Sequence, residues 1–159
     1  MAALQEALVA DGLLEVRTYI QSGNILFSSK VDDTDALAAL IKKSLKDHFD
    51  LTVDVAVFAV ADWREIVAKA PKWWGKDPAW KHNMLIMIKP YDMQAAVAAI
   101  GELKPDIEAM KVGNGVIYQS VSFEKYGQST FSRIVGKPVY KQITIRNYNT
   151  ATKLAALLG

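Results

Sequence analysis

VRTYIQSGNILFSS, residues 16–29, decides how this chain is read. Val16, Thr18 and Ile20 alternate with Arg17 and Tyr19, and Ile25 and Phe27 alternate with Leu26 and Ser28. Strand side chains point to opposite faces with a period of two, so this pattern predicts a β-hairpin closed at Gln21-Ser22-Gly23-Asn24. The closing cluster is also a candidate binding loop. Arg17, Gln21, Ser22 and Asn24 would supply one cation and three polar side chains to a ligand. A tight turn accounts for the Ser-Gly-Asn sequence without one.

Outward from the hairpin, Ala2–Val9 is rich in good helix formers, with Gly12 just past its end. Leu37, Leu40, Ile41, Leu45 and Phe49 form one apolar stripe at helical spacing, with Asp33 or Thr34 as the cap. Val53, Val55 and Val57 alternate with Asp54 and Ala56 and predict a strand. Asp62 and Glu65 have capping-box spacing for a short helix that ends before Pro71. PKWWGKDPAWK, residues 71–81, holds two prolines, a glycine and three of the four tryptophans, and reads as a loop.

Beyond the loop the grammar repeats. Met84–Lys89 predicts a strand and Asp92–Ile100 a helix ended by Gly101. Ile107–Val112 and Val116–Val121 predict a second hairpin around Gly113-Asn114-Gly115. Gln128–Val135 predicts a helix, Gln142–Arg146 a strand, and Asn149 or Thr150 caps a last helix running to Leu158. The second half is therefore β-α-β-β-α-β plus a helix, and the first is the same unit without its opening strand. The expected class is α+β. It comprises two ferredoxin-like units, an incomplete one over residues 1–70 and a second over 83–159, joined by a Trp-rich linker at 71–82 and packed as one body. The opening strand of such a unit is central, and its loss strands backbone groups at about 1–3 kcal/mol each. The pattern thus predicts that Met1 is internal to a longer protein, or that the half-sheet rearranges into an exposed edge open to self-association.

Composition narrows the function classes. Hydrophobic residues make up 51% and charged residues 23%, which fits a globular chain. No apolar run reaches the roughly 18–20 residues of a membrane span, and the N-terminus lacks a basic signal-peptide region. Cysteine is absent, so disulfides, thiolate zinc sites and cysteine nucleophiles are excluded. A cytoplasmic location agrees with that. The net charge of +2 is unevenly spread. Residues 111–159 carry Lys111, Lys125, Arg133, Lys137, Lys141, Arg146 and Lys153 against Glu124 alone, which is +6; the first 110 residues carry −4. A basic third fits an anionic partner, a small anion or nucleic acid.

The hairpin stretch, the linker PKWWGKDPAWKHN and the closing VGKPVYKQITIRNYNTATKLAALL together resemble the bacterial domain-of-unknown-function 1697 family over essentially the whole chain. Members typically begin with one more strand and a glycine-rich RGINVGG-type loop, both absent here. The resemblance implies a paired ferredoxin-like fold and no assigned activity, and such a fold hosts many unrelated functions.

The two histidines, His48 and His82, have no metal-ligand spacing, and no GxSxG elbow marks a serine nucleophile. The sequence names no catalytic residue, metal set or cofactor. Its second candidate site is Arg146-Asn147, where a strand runs into the N-terminus of the last helix, a position suited to anions. The leading reading is a binding or interaction module for an anionic ligand or nucleic acid. The alternative is an enzyme acting on a small phosphorylated or polar substrate, impaired by the missing N-terminal loop. Tyr118, Phe123, Tyr126 and Tyr140 interleave with Lys125, Lys137 and Lys141, as stacking platforms do, although they equally suit a core.

Overall fold

The computed structural model describes residues 2–19 and 23–158. It is a mixed α/β chain that divides into two units, one running to Val60 and the other covering Ala61–Leu157.

The first unit holds helix α1 (Ala2–Ala10), strands β1 (Leu14–Tyr19) and β2 (Asn24–Ser28), and helix α2 (Thr34–Phe49). The hairpin forms as its alternation predicts. Tyr19 faces Asn24, Arg17 faces Leu26, and the ladder is irregular between Leu14 and Arg17. Asp33 caps α2 by accepting from the N–H groups of Asp35 and Ala36, and the helix stops at Asp50 in the left-handed region. The predicted stripe packs: Leu37, Ile41 and Leu45 join Leu8 and Leu13 in the unit's core, with Val16, Ile25, Phe27, Val55 and Val57 at its margin.

One expectation fails here. Val53–Val57 is not in a strand. Its alternation still directs Val55 and Val57 onto the core while Val53 stays exposed, so the pattern sets the packing face. A ladder also needs a neighbour, and the sheet of this unit contains only β1 and β2 among the described residues.

The second unit contains α3 (Val60–Ala68, from Ala61 on), β3 (Trp80–Met87), α4 (Met93–Ile100), β4 (Glu108–Val112), β5 (Val116–Ser122), β6 (Ile143–Asn147) and α5 (Tyr148–Leu157). Its sheet has the order β4-β5-β3-β6, antiparallel at every junction. The strand β3 begins at Trp80, inside the stretch expected as loop, because Trp80 and Lys81 pair with Ser122 and Val121. On one face Leu85, Met87, Ile117, Val121 and Ile143 pack with Ala96 and Ile100 of α4 and with Phe131 and Ile134. On the other, Trp74 meets the Tyr118 ring edge-on at 5.5 Å, and Tyr118 donates to the Ile66 carbonyl at 2.5 Å. Trp63 ties α3 to α5 by donating to the Ala151 carbonyl at 3.1 Å. A Cβ at Gly75 would stand 2.2 Å from the Tyr148 ring, so glycine is required where the Trp-rich loop crosses α5.

Three local expectations are corrected. The helix expected over Gln128–Val135 is a series of 3-10 turns, Tyr126–Gln128, Phe131–Gly136 and Pro138–Gln142. Ser129 and Ser132 bond to nearby backbone carbonyls, and Pro138 lacks an N–H, so a continuous α ladder has strong local competitors. The last helix is capped by Asn147, whose Oδ1 accepts from Thr150 N–H at 2.8 Å, and not by Asn149 or Thr150. Helix α3 starts at Val60, so Asp62 lies within its first turn, and Glu65 pairs with Lys69 four residues on.

Candidate functional site

The expected site residues fall into separate places. Gln21 and Ser22 lie outside the described residues. Asn24 is buried and its Nδ2 donates to the Tyr19 carbonyl at 3.0 Å, clamping the hairpin. Arg17 is exposed on β1. Asn147 is engaged as a helix cap. Arg146 is half-buried on β6; its Nη1 donates to Thr144 Oγ1 and to the Ile145 carbonyl, both at 2.9 Å, and burial pushes its pKa down. Arg17 and Asn24 thus belong to the first unit, and Arg146 and Asn147 to the second.

The histidines have structural partners. His48 stands 3.2 Å from the Asp11 carboxylate. The Ser44 hydroxyl, and then His48, hold the Asp11 carboxyl below its usual range. His82 bridges Ser120 Oγ at 2.5 Å and the Asp77 carbonyl at 2.7 Å. A carbonyl only accepts, so Nε2 donates to Asp77, and Nδ1 shares a hydrogen bond with the Ser120 hydroxyl. The chain of contacts has the order of a serine–histidine relay, yet Ser120 is only 2% exposed and the third partner is a backbone carbonyl. Its effect is to lock the start of β3 to β5. Among the described residues no group of three His, Cys, Asp or Glu is placed to hold a metal ion.

A better-formed surface lies where β5 runs out. Phe123 is 60% exposed and Tyr126 36% exposed, on a turn with Lys125 also in solvent. Lys81 Nζ sits 5.3 Å from the centre of the Tyr126 ring, a cation–π contact. The turn is anchored rather than loose. Phe123 N–H donates to the Ala79 carbonyl at 3.1 Å, Lys125 N–H to Ser122 Oγ at 3.3 Å, and fully buried Ser129 donates to the Tyr126 carbonyl at 2.6 Å. Lys104 reaches across to the Gln128 carbonyl at 2.5 Å. Lys81 lies against one ring, and exposed Glu124 and Lys125 stand between the two in sequence.

Behind the turn sits a buried carboxylate that sequence reasoning passed over. Glu108, 2% exposed, accepts from the N–H groups of Lys104 (2.8 Å), Thr130 (3.0 Å) and Phe131 (3.3 Å). It gathers three backbone donors and fixes the segment that follows the aromatic turn. Only the three-dimensional placement of those donors reveals it, since in sequence it resembles any strand-edge glutamate.

The model of the family described as protein of unknown function (DUF1697) matches residues 1–118, and the chain belongs to that family. The fold is similar to the solved structure of a conserved bacterial protein from Streptococcus pneumoniae, with 27% sequence identity and a TM-score of 0.84 over 100% of this chain and 88% of that one. No curated protein matches the sequence. No helix among the described residues is long and apolar enough to cross a membrane.

Proposed function

We propose that this chain is a cytoplasmic binding module for single-stranded nucleic acid, with the Phe123–Tyr126 turn as its contact surface. The observation that carries the reading is two exposed aromatic rings on an anchored turn, one of them already against a lysine ammonium. Bases stack on such rings at about 1–3 kcal/mol each, and surrounding lysines draw in the phosphates. The strand order and directions of the second unit, with β3 central after the pattern β-α-β-β-β, support reading it as a ferredoxin-like sheet. Both faces of that sheet are packed, so its loops offer the contact.

The test is fluorescence anisotropy with labelled ten-nucleotide oligo(dT) at low salt. Phe123→Ala should weaken binding about tenfold, and Tyr126→Ala by a similar factor. Equal affinity of both variants and the parent chain would remove the turn from the contact. Absence of any binding would remove the reading.

A further inference from the structure

The two units differ at the centre of their sheets. In the second, β3 lies between β5 and β6, antiparallel to both, and its residues 84–87 are buried on both faces. The first unit repeats the order of everything that follows β3: a helix, a hairpin, a helical stretch and an alternating segment. In that order β2 is the counterpart of β5, and segment 53–57 that of β6. Both turn apolar side chains to one core, Ile25 and Phe27 from β2, Val55 and Val57 from the segment. Yet the sheet ends at β2 among the described residues, and the backbone of residues 52–57 makes no hydrogen bond there.

The complete sheet also indicates which groups stand free. Met87 N–H donates to the Gly115 carbonyl, so by alternation the core-facing residues of β5 turn their backbone toward β3. In β6 the residue between core-facing positions, Thr144, does so. The corresponding groups in the first unit are those of Ile25 and Phe27 on β2 and of Asp54 and Ala56 on the segment.

We infer that the first unit is a strand acceptor, which takes an extended apolar peptide from another protein between β2 and segment 53–57, antiparallel to both. This is independent of the nucleic-acid reading. The central strand β3 defines the chemistry of the guest. A strand covered on both faces is a continuous apolar run, so the guest needs about five successive apolar residues and no proline. Entry requires no preformed cavity. The segment can move aside without breaking a ladder, and its exposed Lys42–Asp54 ion pair is worth little. The gain is a third strand for a two-stranded sheet that is marginal alone. A second copy of this chain is a poor donor, because its comparable run is β3, already held between two strands.

The probe is a synthetic peptide carrying the run of residues 83–88, NMLIMI, between lysine pairs, titrated against the full chain by fluorescence anisotropy. Saturable micromolar binding is expected, about tenfold weaker for the same peptide with a central proline. With peptide bound, the amide hydrogens of Ile25, Phe27, Asp54 and Ala56 should exchange about tenfold more slowly, and that of Val53 at its former rate. Ala56→Pro removes a donor aimed at the guest and should weaken binding about tenfold, whereas Val53→Pro should bind like the parent chain. Exchange in the parent chain decides the matter even if Ala56→Pro fails to fold. No binding, or equal binding of the proline peptide, overturns the inference. So does protection that appears on β4 or β6 instead, which would be adhesion to a strand edge. A chain that sediments as a dimer with the four amides already protected would give the place to a second copy and overturn it too.

Discussion

Val53–Val57 and Ile143–Asn147 carry the same message in sequence and meet different fates. Both alternate apolar and polar residues after a connecting segment, yet only the second is a strand, β6. Its ladder lies against β3, with Leu85 facing Ile145 and Ile86 facing Thr144. The first keeps its apolar face on the core through Val55 and Val57 and has no ladder. Periodicity therefore marks the face that can turn inward, although Val53 and Ile145 on those faces stay exposed. Pairing is decided by whether another backbone lies alongside.

The largest expected effect lies in the complete sheet. Glu108→Ala leaves one buried and two part-buried N–H groups without their carboxylate and should cost about 4 kcal/mol in urea unfolding. A loss below about 1 kcal/mol would mean that the segment after the aromatic turn holds itself.

The comparison itself is broken or sharpened by proline. Ile88 N–H donates to the Gln142 carbonyl at 2.8 Å, so by antiparallel alternation Ile86 and Thr144 exchange hydrogen bonds. Thr144→Pro should therefore cost about 3 kcal/mol. Val53→Pro removes no ladder bond and should stay within about 0.5 kcal/mol. Similar costs at the two positions would show that Val53–Val57 is paired after all. Smaller again is Tyr118→Phe, which deletes the bond to the Ile66 carbonyl and should cost about 1 kcal/mol in the same assay.

The smallest effect is tied to pH and belongs to the first unit. The Asp11 carboxyl is depressed in the folded state, so its contribution is present above the unfolded carboxylate pKa and fades as pH falls through the lower folded value. Asp11→Asn should melt slightly below the parent chain at neutral pH and match it in strong acid. A gap that persists in acid would assign the effect to packing.

Much of this architecture was legible in residues alone. The stripe Leu37–Phe49, the two glycine-centred hairpins and the β6 alternation all act locally, through side-chain period and turn chemistry, and they form where expected. What stayed hidden depends on partners distant in sequence. Glu108 becomes a hub only because the chain returns past it at Thr130 and Phe131. Those contacts and the Ser129 and Ser132 bonds hold as 3-10 turns a stretch whose composition reads as helix. The candidate site was legible in part. The basic third and its aromatics pointed to the region, but only the fold separates buried Tyr118 from exposed Phe123 and Tyr126. At Arg146-Asn147 a strand-to-helix junction looks alike in sequence whether its asparagine binds a ligand or caps the helix, and the fold shows Asn147 as the cap.

The central claim is that the basic aromatic turn holds a single strand. Its most direct test is the salt dependence of oligo(dT) binding. With Lys81 and Lys125 each neutralising a phosphate, the slope of log K against log salt should be about −1.4, falling to about −0.7 in Lys125→Ala. Binding independent of salt, or a slope unchanged by Lys125→Ala, would contradict it.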